Sequence, residues 1–351
     1  MAYSHNKNKN IEIFLQFTFI LCICFVPNFA ELQRFKHPIR EDGSLSFLVV
    51  GDWGRRGWYN QSEVAFQMGK VGEKLDIDFV VSTGDNFYDD GLTVVDDPAF
   101  EQSFQYIYTA KSLQKPYTVL GNHDYRGDAE AQLNPVLRNI DSRWHCLRSF
   151  ILDAEIAEFF FLDTTPFVDL YFYNPKDHTY DWRGISPRRT YLANLLKDLA
   201  MDLSESRARW KIVVGHHGIR STGHHGDTQE LVEQLLPILK VPTLIRISLD
   251  TLKHKVDFYM NGHDHCLEHV SCSDSPIQFL TSGAGSKACQ YSLQRLMPDF
   301  KKHYKCDVNF FHLGQGFMPV QLTETDAKIV FYDVFGNVGH KWSPLSSYIQ
   351  T

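Results

Sequence analysis

The sequence predicts an α/β fold in which sheets are covered by helices. Short β-branched and aromatic runs recur along the 351 residues, amphipathic stretches separate several of them, and Gly-Asp, Gly-Asn or Gly-His clusters follow the runs at once. Continuous apolar runs bounded by turn residues read as strands buried on both faces. Their alternation with helical stretches gives the α/β class.

Residues 1–30 read as a secretory signal. Lys7 and Lys9 precede a ten-residue, largely apolar run (17–26), and VPNFA ends at Ala30. A basic start, a short apolar core and a small residue form a cleavable signal. The run is too short for a bilayer-spanning helix, and no later stretch approaches the roughly 18 apolar residues a span needs. The mature protein is therefore expected to be soluble.

Seven strand blocks follow: SFLVVGDWG (46–54), FVVSTGDNFY (79–88), YTVLGNHD (117–124), EFFFLDTT (158–165), WKIVVGHHG (210–218), VDFYMNGHDH (256–265) and IQFLTSGAG (277–285). Helical patterns cover 62–75, 187–203 and 228–239. In the second, Pro187 stands at the start and Leu192, Leu195, Leu196 and Leu199 recur at helical spacing. In the third, Thr228 is placed to cap. Residues 317–336 read as a hairpin closing a sheet.

Composition narrows the function classes. Charged residues make up 22% and apolar residues 43%, which suits a large globular core. The formal net charge is −7, and it becomes −8 once Lys7, Lys9 and Glu12 leave with the signal. An acidic chain is a poor match for nucleic acid, since phosphate neutralisation needs a basic face. Of 7 Cys, five remain after the signal: Cys146, Cys266, Cys272, Cys289 and Cys306. An oxidising route permits disulfides, and an odd number leaves at least one thiol outside any internal pair. Cys266 and Cys272 are close enough in sequence to bridge, although spacing does not fix the pairing. Asn60-Gln61-Ser62 is the one N-x-S/T sequon after the signal, a glycosylation candidate at Asn60.

The Gly-Asp and Gly-His clusters lie past strand C-termini, where open α/β sheets bind ligands. Taken singly, Asp52 in GDWG, Asp85 and Tyr88 in GDNFY, Asn122 in GNHD and His216 in VVGHH each suit a turn, a cap or a core position. His263 and His265 in GHDH are harder to dismiss. Strand alternation would put both imidazoles on one face with Asp264 pointing away. Together these seven residues exceed what one tetrahedral zinc takes. They suit two ions sharing a carboxylate. Mixed oxygen and imidazole donors select Fe, Zn or Mn over Ca or a thiolate site.

In this order, GDWG, GDNFY, GNHD, VVGHH and GHDH resemble the five blocks of the purple acid phosphatases, within the calcineurin-like metallophosphoesterases. The resemblance runs over residues 44–342 and matches the short, single-domain form related to mammalian tartrate-resistant acid phosphatase. It implies an α/β/β/α sandwich of two mixed sheets flanked by helices. It also implies a ferric ion held by Asp52, Tyr88, His265 and bridging Asp85. A second ion, ferrous, zinc or manganese, would be held by Asn122, His216, His263 and Asp85. A phenolate suits a ferric ion, and its charge-transfer band would account for the family's colour. The implied activity is acid hydrolysis of small phosphate monoesters by metal-activated hydroxide. His123 and His225 are then the substrate-side acids or phosphate contacts, with His224 as the competitor of His225. His217, next to a ligand, would face the other way, either behind that ligand or exposed.

The implied organisation is a signal (1–30), an N-terminal segment (31–43), the catalytic domain (44–342) and a tail (343–351), in a secreted protein, with cell wall or vacuole as alternatives. VPTLIRISLDTLKHK (241–255) departs from the family's short turn and reads as an insertion, either a surface loop or retained non-coding sequence. Competing functions are a phosphodiesterase or phosphoprotein phosphatase on the same fold, peroxidase-like side activity of a di-iron pair, or a non-catalytic metal-binding glycoprotein.

Overall fold

Two mixed sheets pack face to face in the computed structural model, which describes residues 32–240, 256–289 and 305–344. The expected signal (1–30), the expected insertion (241–255) and residues 345–351 of the tail lie outside the described residues. Strands are numbered along the chain. The first sheet runs, from edge to edge, β1 (Gln33–Lys36), β6 (Phe150–Ala154), β7 (Ala157–Phe161), β8 (Trp210–Val214), β9 (Phe258–Asn261), β11 (Ser275–Ser282), β10 (Leu267–Cys272) and β12 (Cys306–His312). The second runs β15 (Val338–Trp342), β14 (Ala327–Asp333), β13 (Gly316–Leu322), β2 (Leu45–Val50), β3 (Phe79–Ser82), β4 (Pro116–Thr118) and β5 (His145–Cys146). Within these, β2, β3 and β4 are parallel, as are β7, β8 and β9.

Alternation along the apolar strands builds three layers of packing. Phe47, Val49, Phe79 and Val81 point inward and meet Phe159, Phe161, Ile212 and Val214 of the other sheet. Phe47 stacks on Phe79 at 5.3 Å and meets Phe159 edge-on at 5.0 Å. The intervening residues Leu48, Val50 and Val80 face outward onto Val64 and Met68 of the helix Gln61–Leu75. On the far side, Phe160, Val213 and Tyr259 pack on Leu192, Leu195 and Leu199 of the helix Arg188–Glu205. Both faces of the central strands are covered, which is why these runs lack a polar alternate. The architecture is the α/β/β/α sandwich, and the 317–336 hairpin is the antiparallel β13–β14 pair.

Two expected elements differ in detail. The pattern at 228–239 forms two short helices, Gln229–Gln234 and Leu236–Lys240. Pro237 has no N–H to continue the ladder and ends the first; the Thr228 side chain makes no capping bond. The bridge also differs. Cys272 pairs with Cys306, its partner in the β10–β12 register, and Cys266 is a free, buried thiol. Extended backbone along β10 separates Cys266 from Cys272 by about 20 Å, too far for a bond between them.

Parallel strands place the C-terminal ends of β2, β3 and β4 beside those of β8 and β9. The two sheets touch there, with the Gly51 amide donating to the Ser282 carbonyl at 2.7 Å.

Candidate metal centre

Each candidate residue leaves a strand within a few positions of its end. Asp52 follows β2, Asp85 and Tyr88 follow β3, Asn122 opens the short helix Asn122–Arg126 after β4, His216 follows β8, and His263 and His265 follow β9. The last pair does not sit on a strand. β9 ends at Asn261, and His263 takes a φ of 68°. A bend, not strand alternation, turns both imidazoles inward.

Asp85 stands at the middle of the arrangement, 1% exposed. Its Oδ2 accepts from the Tyr88 hydroxyl at 2.7 Å. That hydroxyl also lies 2.9 Å from Asp52 Oδ1 and 3.2 Å from His265 Nε2. On the other side, Asp85 Oδ1 lies 3.4 Å from His216 Nε2, which is 3.2 Å from Asn122 Oδ1. The His216 Nδ1 faces the Thr83 carbonyl at 2.9 Å, so Nδ1 carries the proton and Nε2 is directed at the site. His263 completes this half, its ring centroid 5.0 Å from that of His216. Metal-ligand atoms of Asp52, Asp85 and His216 lie within 4.8 Å of one another, and so do those of His216, His217 and His263.

The donor chemistry fits two cations. One hydroxyl proton on Tyr88 faces two carboxylates and an imidazole, and it can satisfy only one at a time. Burial, reinforced by Asp52 and Asp85, pushes the Tyr88 phenol well above its ordinary range. Burial opposes a charged His216, yet the Asp85 carboxylate overrides it and raises His216 to about 9. Burial and neighbouring imidazoles hold His263 well below its usual value, which keeps its lone pair available. Positive charge is thus called for on both sides of Asp85. The first side offers hard anionic oxygens, and the second neutral amide and imidazole donors.

The backbone is shaped around these groups. Asp52, Asp85 and His263 have φ of 60°, 52° and 68°, a region L-residues enter at a cost of roughly 1–2 kcal/mol. Gly121 is required by close approach, because a Cβ there would collide with Asp85 Oδ1.

The substrate-side candidates line one cleft of about 600 Å³ with Asp85, Asn122 and His263. The His123 amide donates to Asp85 Oδ1 at 2.8 Å, and its ring lies 4.4 Å from that of Tyr88. Arg126 Nη1 reaches the His123 ring at 3.0 Å. His225 stacks on His263 at 4.0 Å, and His224, which also lines the cleft, contacts His225 at 5.0 Å. His217 lies behind the ligands and is not exposed. It is buried against His263 at 4.4 Å, with its nitrogens bonded to Thr164 Oγ1 and the Tyr171 hydroxyl, both at 3.0 Å. β8 ends at Val214 and the chain bends at His216 and His217, so alternation does not govern His217. Asn60 is exposed at the start of the helix Gln61–Leu75.

Several supporting residues escaped the sequence reading. Thr164 Oγ1 accepts from the amides of His216 and His217 at 3.0 and 3.1 Å. Its EFFFLDTT block has the same strand-then-polar form as the others, a signal that was available. Ser221 Oγ bridges Asp264 Oδ2 and Glu268 Oε2 at 2.6 and 2.9 Å, and Asp264 Oδ1 accepts from the His225 amide at 2.7 Å. Nothing local marks that network, because Ser221 stands 43 residues from Asp264 and 47 from Glu268.

Comparison with known proteins agrees with this geometry. The calcineurin-like phosphoesterase family model matches residues 45–267. Purple acid phosphatase 17 of Arabidopsis thaliana is 60% identical over 92% of both chains. Tartrate-resistant acid phosphatase type 5 of Sus scrofa is 30% identical over 83% of this chain and 84% of its own. Among solved structures, "GAP50 the anchor in the inner membrane complex of Plasmodium" shares the fold, with a TM-score of 0.65 and 23% identity, covering 87% of this chain and 89% of that one. With two sheets meeting at a shared aspartate, and relatives of this likeness along nearly the whole chain, the protein belongs to the purple acid phosphatases of the calcineurin-like phosphoesterase family.

Proposed function

We propose that the chain is a metal-dependent acid phosphatase acting on small phosphate monoesters. One observation carries the reading: the two carboxylate oxygens of Asp85 face two different donor sets. Asp52, Tyr88 and His265 with Asp85 would hold a ferric ion. Asn122, His216 and His263 with Asp85 would hold a ferrous, zinc or manganese ion. When bound, the pair would draw charge from phosphate and acidify water, the established service of two-metal sites.

The protein's own residues do the rest. Asp85 fixes the spacing of the two sets. Thr164 and the Thr83 carbonyl orient His216. His123 and His225 both line the cleft, where one can contact a phosphoryl oxygen and the other protonate the departing alkoxide. Arg126 beside His123 adds positive charge for the substrate.

The discriminating experiment is aryl-phosphate hydrolysis against pH, with diester and phosphopeptide substrates alongside. Monoester turnover at acidic pH, lost on chelation, supports the reading. A strong preference for diesters would replace it with the phosphodiesterase alternative.

We also infer a secretory route from residues 1–30, in line with the exposed Asn60 sequon. No helix among the described residues is long and apolar enough to cross a membrane. N-terminal sequencing of the purified protein tests the signal, and an intact Met1 in exported protein would contradict it. For residues 241–255, transcript sequencing distinguishes a genuine insertion from retained non-coding sequence.

A further inference from the structure

Arg55 is placed more firmly than a surface arginine needs. Its guanidinium carbon lies 3.6 Å from the centre of the Tyr88 ring, and its side chain is 10% exposed. Nη1 donates to Asp89 Oδ1 at 2.8 Å, but Asp89 is 79% exposed and its charge is screened by water. The buried Nε has no hydrogen-bond partner among the described residues. Tyr59 covers the guanidinium from farther off, at 5.4 Å. The backbone beneath is fixed independently. Gln61 Oε1 accepts from the amides of Arg55 and Gly57 at 2.9 and 2.8 Å, and Gln61 Nε2 donates to the Ser103 carbonyl. A half-satisfied cation is thus held over one aromatic face.

We propose that Arg55 is a positioning residue that sets the electron density of the Tyr88 phenolate, and through it the colour and reduction potential of the ferric site. The inference rests on Tyr88 being an iron ligand. Against a neutral phenol the contact is an ordinary cation–π interaction. Against a phenolate it becomes an ion pair acting through the ring in a dry environment, where charges are felt strongly. The positive charge lowers the energy of the phenolate donor orbital. More energy is then needed to move an electron from Tyr88 to iron, and less electron density reaches the metal. Outer groups tune metal sites by this kind of route.

The test compares visible spectra and reduction potentials of the iron-loaded protein for the wild type, Arg55→Gln, Arg55→Lys, Asp89→Asn and Tyr88→Phe, with iron counted in each. Arg55→Gln should move the band to longer wavelength and lower the potential at unchanged iron content. Arg55→Lys should move both in the same direction but less, since an ammonium keeps the charge and cannot lie flat on the ring. It also guards against misfolding of the glutamine variant. Asp89→Asn, which breaks the ion pair and leaves the guanidinium over the ring, should not lengthen the wavelength.

A band and potential unmoved in both Arg55 variants would overturn the proposal. So would an Asp89→Asn shift equal to that of Arg55→Gln, because it would assign the effect to loop geometry. Tyr88→Phe separates the two levels of argument: a surviving band would refute Tyr88 as the ligand, whereas its loss leaves the Arg55 comparison as the deciding result.

Discussion

Phe47 and Phe79 lie between the sheets with no exposure, and Asp52 and Asp85, five and six residues farther on and just past the ends of the same strands, are buried to nearly the same degree. Burial therefore does not distinguish the apolar layer from the polar rim. Compensation does. Each phenylalanine gains from leaving water and from ring packing. Each aspartate loses its hydration, stands in a left-handed backbone, and shares partners that cannot all be satisfied by protons. The layer supplies rigidity. The rim holds a strained arrangement that only cations complete.

Four comparisons probe this contrast, in decreasing size of effect. Asp85→Ala removes the group common to both donor sets and should lower monoester hydrolysis by at least about a thousandfold. A loss under tenfold in steady-state assays would break the contrast. Phe159→Ala acts on the layer alone. It should cost about 3–5 kcal/mol in urea denaturation, with turnover per folded molecule nearly unchanged. Equal losses of stability and turnover would mean that the layer and the rim are not separable.

His225→Ala against His224→Ala sharpens the rim. The first should lower kcat/KM by about a hundredfold and the second by less than about twofold; the reverse order would move the substrate side to His224.

The smallest effect concerns Glu268. Burial outweighs its bonds from Thr222 and Ser221 and raises it to about 7. Its folded pKa exceeds its unfolded one, so the fold favours the proton. The stability it contributes is present in acid and is lost as pH climbs from roughly 4.5 to 7, by at most about 1.4 kcal/mol per pH unit. Glu268→Gln should remove that slope in urea midpoints measured at pH 5 and pH 7.5. An unchanged slope would show that Glu268 stays ionised when folded.

What the sequence made legible follows the same division. Strands buried on both faces announced themselves as unbroken apolar runs, and all seven blocks are strands. β1, β5, β12 and β15 did not, because they are edge strands whose pairing is decided by their neighbours, and the interior strands β6 and β10 also went unread. The Pro237 break was readable in principle. Within the rim, Gly-Asp and Gly-His clusters marked where to look. They could not reveal that His217 turns back to Thr164, or that Ser221 joins Asp264 to Glu268. Those contacts are set by tertiary packing between distant segments. The Cys272–Cys306 bridge was hidden for the same reason, since register and not sequence spacing pairs them.

The central claim is that Asp85 joins two cation sites. Metal counting by mass spectrometry on the purified protein and on Asp85→Ala tests it most directly. The account predicts two ions per wild-type chain, at least one of them iron, and fewer than one per variant chain. Two ions retained in Asp85→Ala, or a wild-type chain that hydrolyses phosphate esters without metal, would contradict it.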